Sequence, residues 1–271
     1  MNKRLVILGV SALVFALLVL LPARASAVVV PETLTVRVVC QETSSRIAVD
    51  AAVARAKVPL AYDIPLDADG SATLLFSWKN CSEWENVGEP SEIGPMHTQE
   101  VHAYVIVGGY SVIPVPGADL TLPGIYAYTL AQYEVGMPIE ALLTLAKYGL
   151  PVTEAREISI GPDAAVRHGR VVTRAQGSAD DVGIEWVEYF VPATPIVFGR
   201  TNFGYHDHSE GGKRARAVTS QIYYANGVGQ IVVTPDRRSV LGDFVTSEHP
   251  QLVGVFQHYD RMTATYQITS E

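Results

Sequence analysis

A single mainly β domain, a barrel or sandwich carrying two short helices, is the fold class this sequence predicts. Three observations lead there. Short apolar runs rich in β-branched residues alternate with turn signals along most of the chain. Only two segments carry apolar residues at helical spacing. No repeat, coiled-coil pattern or low-complexity linker divides residues 28–271.

The first 27 residues stand apart from that domain. Lys3 and Arg4 precede the apolar run LVILGVSALVFALLVLL, and ARASA ends at Ala27 in a small-residue cleavage pattern. A secretory signal peptide over 1–27 is therefore expected, followed by one β-rich domain over 28–271. The apolar run is also about as long as a membrane span, so an uncleaved anchor is the alternative. After cleavage no membrane association is expected, because no later run is long and apolar enough to span as a helix.

Cleavage removes Lys3, Arg4 and Arg24 but no acid, leaving the chain three charges more acidic than its net −8. An acidic surface repels phosphate backbones, which argues against nucleic acid as a partner. Cys40 and Cys81 are the two cysteines. In a secreted or periplasmic compartment an even pair most simply forms one disulfide, with two buried free thiols as the alternative. No C-x-x-C is present, so a cysteine metal site lacks support.

Along the chain, ETLTVRVVC alternates as a strand, and SRIAVDAAVARAK has the spacing of a short helix ending before VPL. Asp69-Gly70 reads as a turn entering the strand of SATLLFSWKNC, and ENVGEPSEIGP reads as a polar loop. The proline-interrupted strands from His97 to Leu130 suit sheet edges and bulges. MPIEALLTLAKYGLP, bounded by proline at both ends, is the second helix. From Glu154 onward, six further segments read as strands.

Three stretches resemble the acetoacetate decarboxylase family. The region from Arg37 to Trp78 is similar to its strand, short helix and DADG turn into a strand. Gly94-Pro95 followed by Glu100 is similar to its Gly-Pro to Glu feature, although the spacing is longer here. AREISIGP resembles its GREIWGFP, with Arg156, Glu157, Ile158 and Pro162 in register. The resemblance covers about two-thirds of the domain and implies a closed β cone around an apolar pocket. It also implies a lysine that forms a Schiff base with a keto acid. Here the chain departs from the family: Asp163 and Ala164 stand where the reactive lysines would be. An imine needs an amine that is neutral near pH 7, and aspartate has none.

Of the four lysines left after cleavage, Lys57, Lys79, Lys147 and Lys213, only Lys79 and Lys147 merit testing as replacements; a snorkelling surface lysine is the bland reading of each. Glu100 and His102 share a strand face, a carboxylate beside an imidazole suited to acid–base work. Arg156 is a candidate clamp for a substrate carboxylate, and Glu157 alternates with it to the other face. His206 and His208 project to one face of an extended segment and could share a metal, although two solvated loop histidines are the plainer reading. Neither a G-x-S-x-G elbow, a P-loop, an H-E-x-x-H helix nor a nucleotide fingerprint occurs, so no cofactor is expected.

Two functions follow as expectations. One is an enzyme, lyase- or isomerase-like, that works on a small keto, enol or organic-acid substrate by acid–base rather than Schiff-base chemistry. The other is a non-catalytic secreted β barrel that binds a small apolar ligand. Either way the partner is a small molecule, and a homo-oligomer is compatible with both.

Overall fold

The computed structural model describes residues 33–60, 62–87, 93–108, 112–114, 121–123, 126–161, 165–175, 179–210 and 213–270. Side chains are described throughout these except at 33, 112–126, 193–226 and 269–270. The expected signal peptide at 1–27 lies outside the described residues.

The elements run β1 (Thr33–Val49), α1 (Ala51–Lys57), β2 (Ala72–Val87), β3 (Ile93–Val107), β4 (Val112–Pro114), β5 (Thr121–Pro123) and β6 (Tyr126–Val135). They continue through α2 (Ile139–Lys147), β7 (Val152–Glu154), β8 (Glu157–Ile160), β9 (Val166–Arg174), β10 (Asp181–Glu210), β11 (Lys213–Pro235) and β12 (Leu252–Ser270). Ten strands form one sheet in the order β7-β6-β3-β2-β1-β12-β11-β10-β9-β8, and β4 pairs with β5 separately. The sheet curls strongly into a half-barrel. One parallel pair, Ala127 with His206, joins β6 to β10 across the curl. Among the described residues no helix is long and apolar enough to cross a membrane.

The long strands bury opposite faces at their two ends. In β1 the buried positions are Leu34, Val36, Val38, Cys40 and Glu42, then Thr43, Ser45, Ile47 and Val49, so the buried parity changes from even to odd. Register shifts fall at the same place, between Cys40 and Glu42 against β12 and at Val39/Cys40 against β2, with the extra residue on the partner strand each time. One face then builds the main hydrophobic core, with Ile47, Leu74, Phe76, Trp78, Val101, Val105, Trp186, Ile231 and Phe256 among its members. The other face is left for a second compartment beneath α2.

The first helix is shorter than its apolar spacing predicts. β1 continues through Val49, and only Ala51–Lys57 is helical. Two local causes set that boundary. Ile47 and Val49 keep alternating into the core, and Asp50 caps the helix by accepting from the Ala52 and Val53 amides at 2.7 and 3.1 Å. Arg55 then ties down the carbonyls of Val58, Pro59 and Tyr62, which fixes the exit. The second helix forms where the proline-bounded segment predicts it, with Ala141, Leu142 and Leu145 buried. Gly136, just before it, has φ 86°, a conformation that glycine adopts without strain.

Cys40 and Cys81 are register partners on β1 and β2 and form a disulfide, consistent with an oxidising compartment.

Candidate functional site

Four ionisable side chains lie in one cross-strand row. Glu42 on β1 pairs in register with Lys79 on β2, Lys79 with Glu100 on β3, and Glu100 with Glu134 on β6. All four are buried, at 8, 4, 3 and 0 % exposure. Charged residues are almost never buried unless paired, so the signs along the row matter. They run negative, positive, negative, negative, and the last carboxylate has no lysine beside it in the row.

His102 sits two residues beyond Glu100 on the same face of β3. Its Nε2 lies 3.3 Å from Glu100 Oε2 and 3.5 Å from Glu134 Oε1. Neither contact has hydrogen-bond geometry; among the described residues His102 Nε2 and Glu134 Oε2 lack a hydrogen-bond partner. Each member is oriented from behind. His102 Nδ1 bonds the Tyr104 hydroxyl, Thr98 Oγ1 donates to Glu100 Oε1 at 3.3 Å, and Gln132 Nε2 donates to Glu134 Oε1 at 2.7 Å. Lys79 Nζ donates to the Tyr266 hydroxyl at 2.9 Å and stands 3.5 Å from Glu100 Oε2.

These polar groups open on a pocket with an apolar wall. Val36, Val38, Trp84, Leu145, Leu150 and Ile268 share its lining with Lys79, Glu100, His102, Tyr104 and Tyr266. Its cavity is ≈ 40 Å³, well below the ~300–1,000 Å³ of typical small-molecule sites. The donors of Glu100, His102 and Glu134 lie within 4.8 Å of one another, so these three could hold a metal ion.

The electrostatics follow from the row. Burial opposes the charge on Lys79, but Tyr266, Glu100, Tyr104 and Glu42 together outweigh it and hold its pKa well above the ordinary lysine value. The two phenols keep their protons at neutral pH, since burial raises both, Tyr266 to about 12. Of these four groups only the carboxylates can carry negative charge at neutral pH, and burial raises the Glu42 pKa in turn. Burial also works against the charge on Glu100, yet Lys79, His102 and Thr98 pull its pKa down. Glu134 goes the other way: burial and the Glu100 charge raise it to about 7, against smaller lowering effects of His102 and Gln132.

A stability prediction follows for metal-free protein. Between pH 4.5 and pH 7 the unfolded chain has released the Glu134 proton while the folded chain retains it. The folded state then binds more protons, so this residue makes stability fall as pH rises, by on the order of 2–3 kcal/mol. Urea denaturation with a chelator present should show Glu134→Gln more stable than wild type at pH 7.5, with the difference shrinking towards pH 4.5. Equal stabilities at both pH values would contradict it.

The structure brings Glu100 and His102 together and places the other sequence candidates elsewhere. Arg156 is exposed and pairs with Asp181 at 2.6 Å, and Glu157 is exposed at the start of β8. Lys147 is exposed at the end of α2. His206 and His208 belong to β10, in register with Ala217 and Ala215, and their side chains lie outside the described residues. Asp163 and Ala164 also lie outside them. Lys79, one of the two lysines that merit testing and whose bland reading is a snorkelling surface side chain, is buried in the row. Glu42, Glu134 and Tyr266 were not visible as site residues, because only strand register brings them beside β3.

A second buried polar group occupies the main core. Arg167 Nε lies 3.4 Å from Glu188 Oε2, and Trp78 Nε1 donates to Glu188 Oε1. The Arg167 guanidinium stacks 4.3 Å from the Phe190 ring centre and lies 3.2 Å from His258 Nδ1.

Solved structures share this architecture over most of their length. An acetoacetate decarboxylase matches with TM-score 0.50 at 10% identity, over 92% of this chain and 93% of its own. The fold is that of the acetoacetate decarboxylase-like enzymes. A second decarboxylase-like enzyme, from Sphingomonas wittichii RW1, matches with TM-score 0.50 at 11% identity, over 89% of this chain and 92% of its own. The enduracididine biosynthesis enzyme MppR, complexed with the condensation product of pyruvate and imidazole 4-carboxaldehyde, matches with TM-score 0.50 at 12% identity, over 92% of each chain. No family model and no curated protein matches the sequence. At these identities the decarboxylase-like likeness concerns the fold, and the chemistry has to be argued from the residues of this chain.

Proposed function

We propose that this protein acts on a small keto, enol or organic acid in the pocket beneath α2, by acid–base chemistry at His102. One observation carries the reading: an imidazole that lines a partly apolar pocket with Glu100 has its Nε2 within 3.5 Å of two buried carboxylates, Glu100 and Glu134. In such a site His102 Nε2 takes a proton from the carbon beside a substrate carbonyl. The C–H electron pair becomes the new C=C bond, and the C=O π pair moves onto the carbonyl oxygen. Glu100 and Glu134 offset the charge that the imidazole gains, and Lys79 with Tyr266 offsets the charge that the oxygen gains. Return of the proton to oxygen completes a keto-to-enol change. Lys79, held charged by Glu100 and Glu42, is an anchor for the substrate anion rather than an imine-forming nucleophile. The MppR complex with a pyruvate-derived product supports the substrate class, since that enzyme shares the fold.

Deuterium exchange into the methyl group of pyruvate or acetoacetate, followed by proton NMR, tests this. Wild type should catalyse exchange, His102→Asn should lose about 10²-fold of the rate or more, and borohydride should leave no adduct on Lys79. Ligand-induced shifts without any exchange would sink the catalytic reading and leave a small-molecule binding barrel.

A further inference from the structure

We propose that Glu100, His102 and Glu134 together bind one first-row divalent cation such as Zn²⁺. The inference rests on the same three side chains as the reading above but puts them in a different state: with the ion bound, His102 Nε2 is a ligand and no longer the base.

Charge comes first. The buried row holds three carboxylates, Glu42, Glu100 and Glu134, against one lysine. Two of those carboxylates, Glu100 and Glu134, are direct register partners, an arrangement that is destabilising without a cation between them. The deficit is met either by protons or by a divalent ion.

Geometry points to the ion. Ligands about 2.1 Å from a tetrahedral metal lie about 3.4 Å apart. The His102 Nε2 separations from Glu100 Oε2 and Glu134 Oε1 are 3.3 and 3.5 Å, without hydrogen-bond alignment. A hydrogen-bonded triad would be aligned; donors converging on a common point need not be. The outer contacts suit ligation as well. Metal-bound imidazoles and carboxylates are held by further hydrogen bonds. Here Tyr104 takes His102 Nδ1, Thr98 takes Glu100 Oε1 and Gln132 takes Glu134 Oε1. His102 Nε2 is left for the centre, and Glu134 Oε1, 3.5 Å from it, accepts from Gln132 while Glu134 Oε2 has no hydrogen-bond partner among the described residues.

Lys79 is the counter-argument, because its ammonium lies 3.5 Å from Glu100 Oε2. Its hydrogen bond goes to Tyr266, so its effect on the ion is electrostatic repulsion rather than occupation of a ligand position. Two carboxylates and one imidazole suit zinc, manganese or iron over copper(I), which prefers sulfur, and over calcium, which takes six or more oxygens. Three protein ligands leave a coordination position open to the pocket. The keto oxygen of an α-keto acid can fill it, and the ion then polarises the carbonyl together with Lys79 and Tyr266.

Titration calorimetry of chelator-stripped full-length protein with Zn²⁺, and visible absorption with Co²⁺, tests the site. One ion per chain is expected, with a Co²⁺ spectrum of low-symmetry coordination. Glu134→Gln and His102→Asn should each weaken Zn²⁺ by about 100-fold or more. Lys79→Met should tighten it, and the double variant His206→Ala/His208→Ala should leave it unchanged. Wild type without stoichiometric Zn²⁺, or binding lost only in the His206/His208 variant, overturns the proposal. Deuterium exchange that persists in stripped protein without Zn²⁺ binding would overturn the metal site and leave the acid–base reading standing. Zn²⁺ binding without exchange would do the reverse.

Discussion

Arg167→Leu is expected to lower folding stability by about 3–5 kcal/mol. Arg167 is 2 % exposed and its ion partner Glu188 is fully buried, so the substitution takes this guanidinium away from a carboxylate in the core. Trp78 Nε1 still donates to Glu188, but one neutral donor does not replace a guanidinium. Packing adds to the loss, since the guanidinium covers the Phe190 ring at 4.3 Å and the Trp78 ring at 5.8 Å. The double variant Arg167→Leu/Glu188→Leu separates the causes. If the unpaired charge dominates, the double variant recovers most of the lost stability in urea denaturation. A double variant as unstable as the single one would show that packing, not charge, sets the cost.

Cys40→Ser/Cys81→Ser should cost about 4 kcal/mol, the second large effect. The bridge joins residues 41 apart in sequence, and tying a loop of that length restricts the unfolded chain by about that much in the chain-entropy account. Both sulfurs are buried at the point where β1 changes its buried face, so the serine hydroxyls add a desolvation cost. The double serine variant and the reduced wild type should show similar urea midpoints. A drop below about 1 kcal/mol would mean that the strand ladder alone holds this junction in the unfolded ensemble's place.

What could be read from the sequence follows physical locality. Alternation along ETLTVRVVC and the proline-bounded helix are local patterns, and both elements form where expected. Glu100 and His102 were legible as a pair because a two-residue offset on a strand fixes a common face. Glu134 and Glu42 were not, since their place beside β3 depends on the registers of β6 and β1, and register is a long-range property. Lys79 looked like any strand lysine, because nothing local shows that both its neighbours in the sheet are acids. The overextended first helix has the same origin. SRIAV carries a period that fits helix or strand, and pairing with β2 and β12 decided it.

The turnover of faces along the long strands gives β3 a built-in division of labour. Its odd positions, Val101, Ala103 and Val105, belong to the main core, while its even positions Glu100, His102 and Tyr104 face the pocket and Thr98 supports Glu100. A saturation scan of this one strand, scored separately for abundance and for turnover, should then oscillate with a period of two residues. Abundance should dip at the odd positions and turnover at the even ones, so a single strand would report fold and chemistry as two interleaved signals.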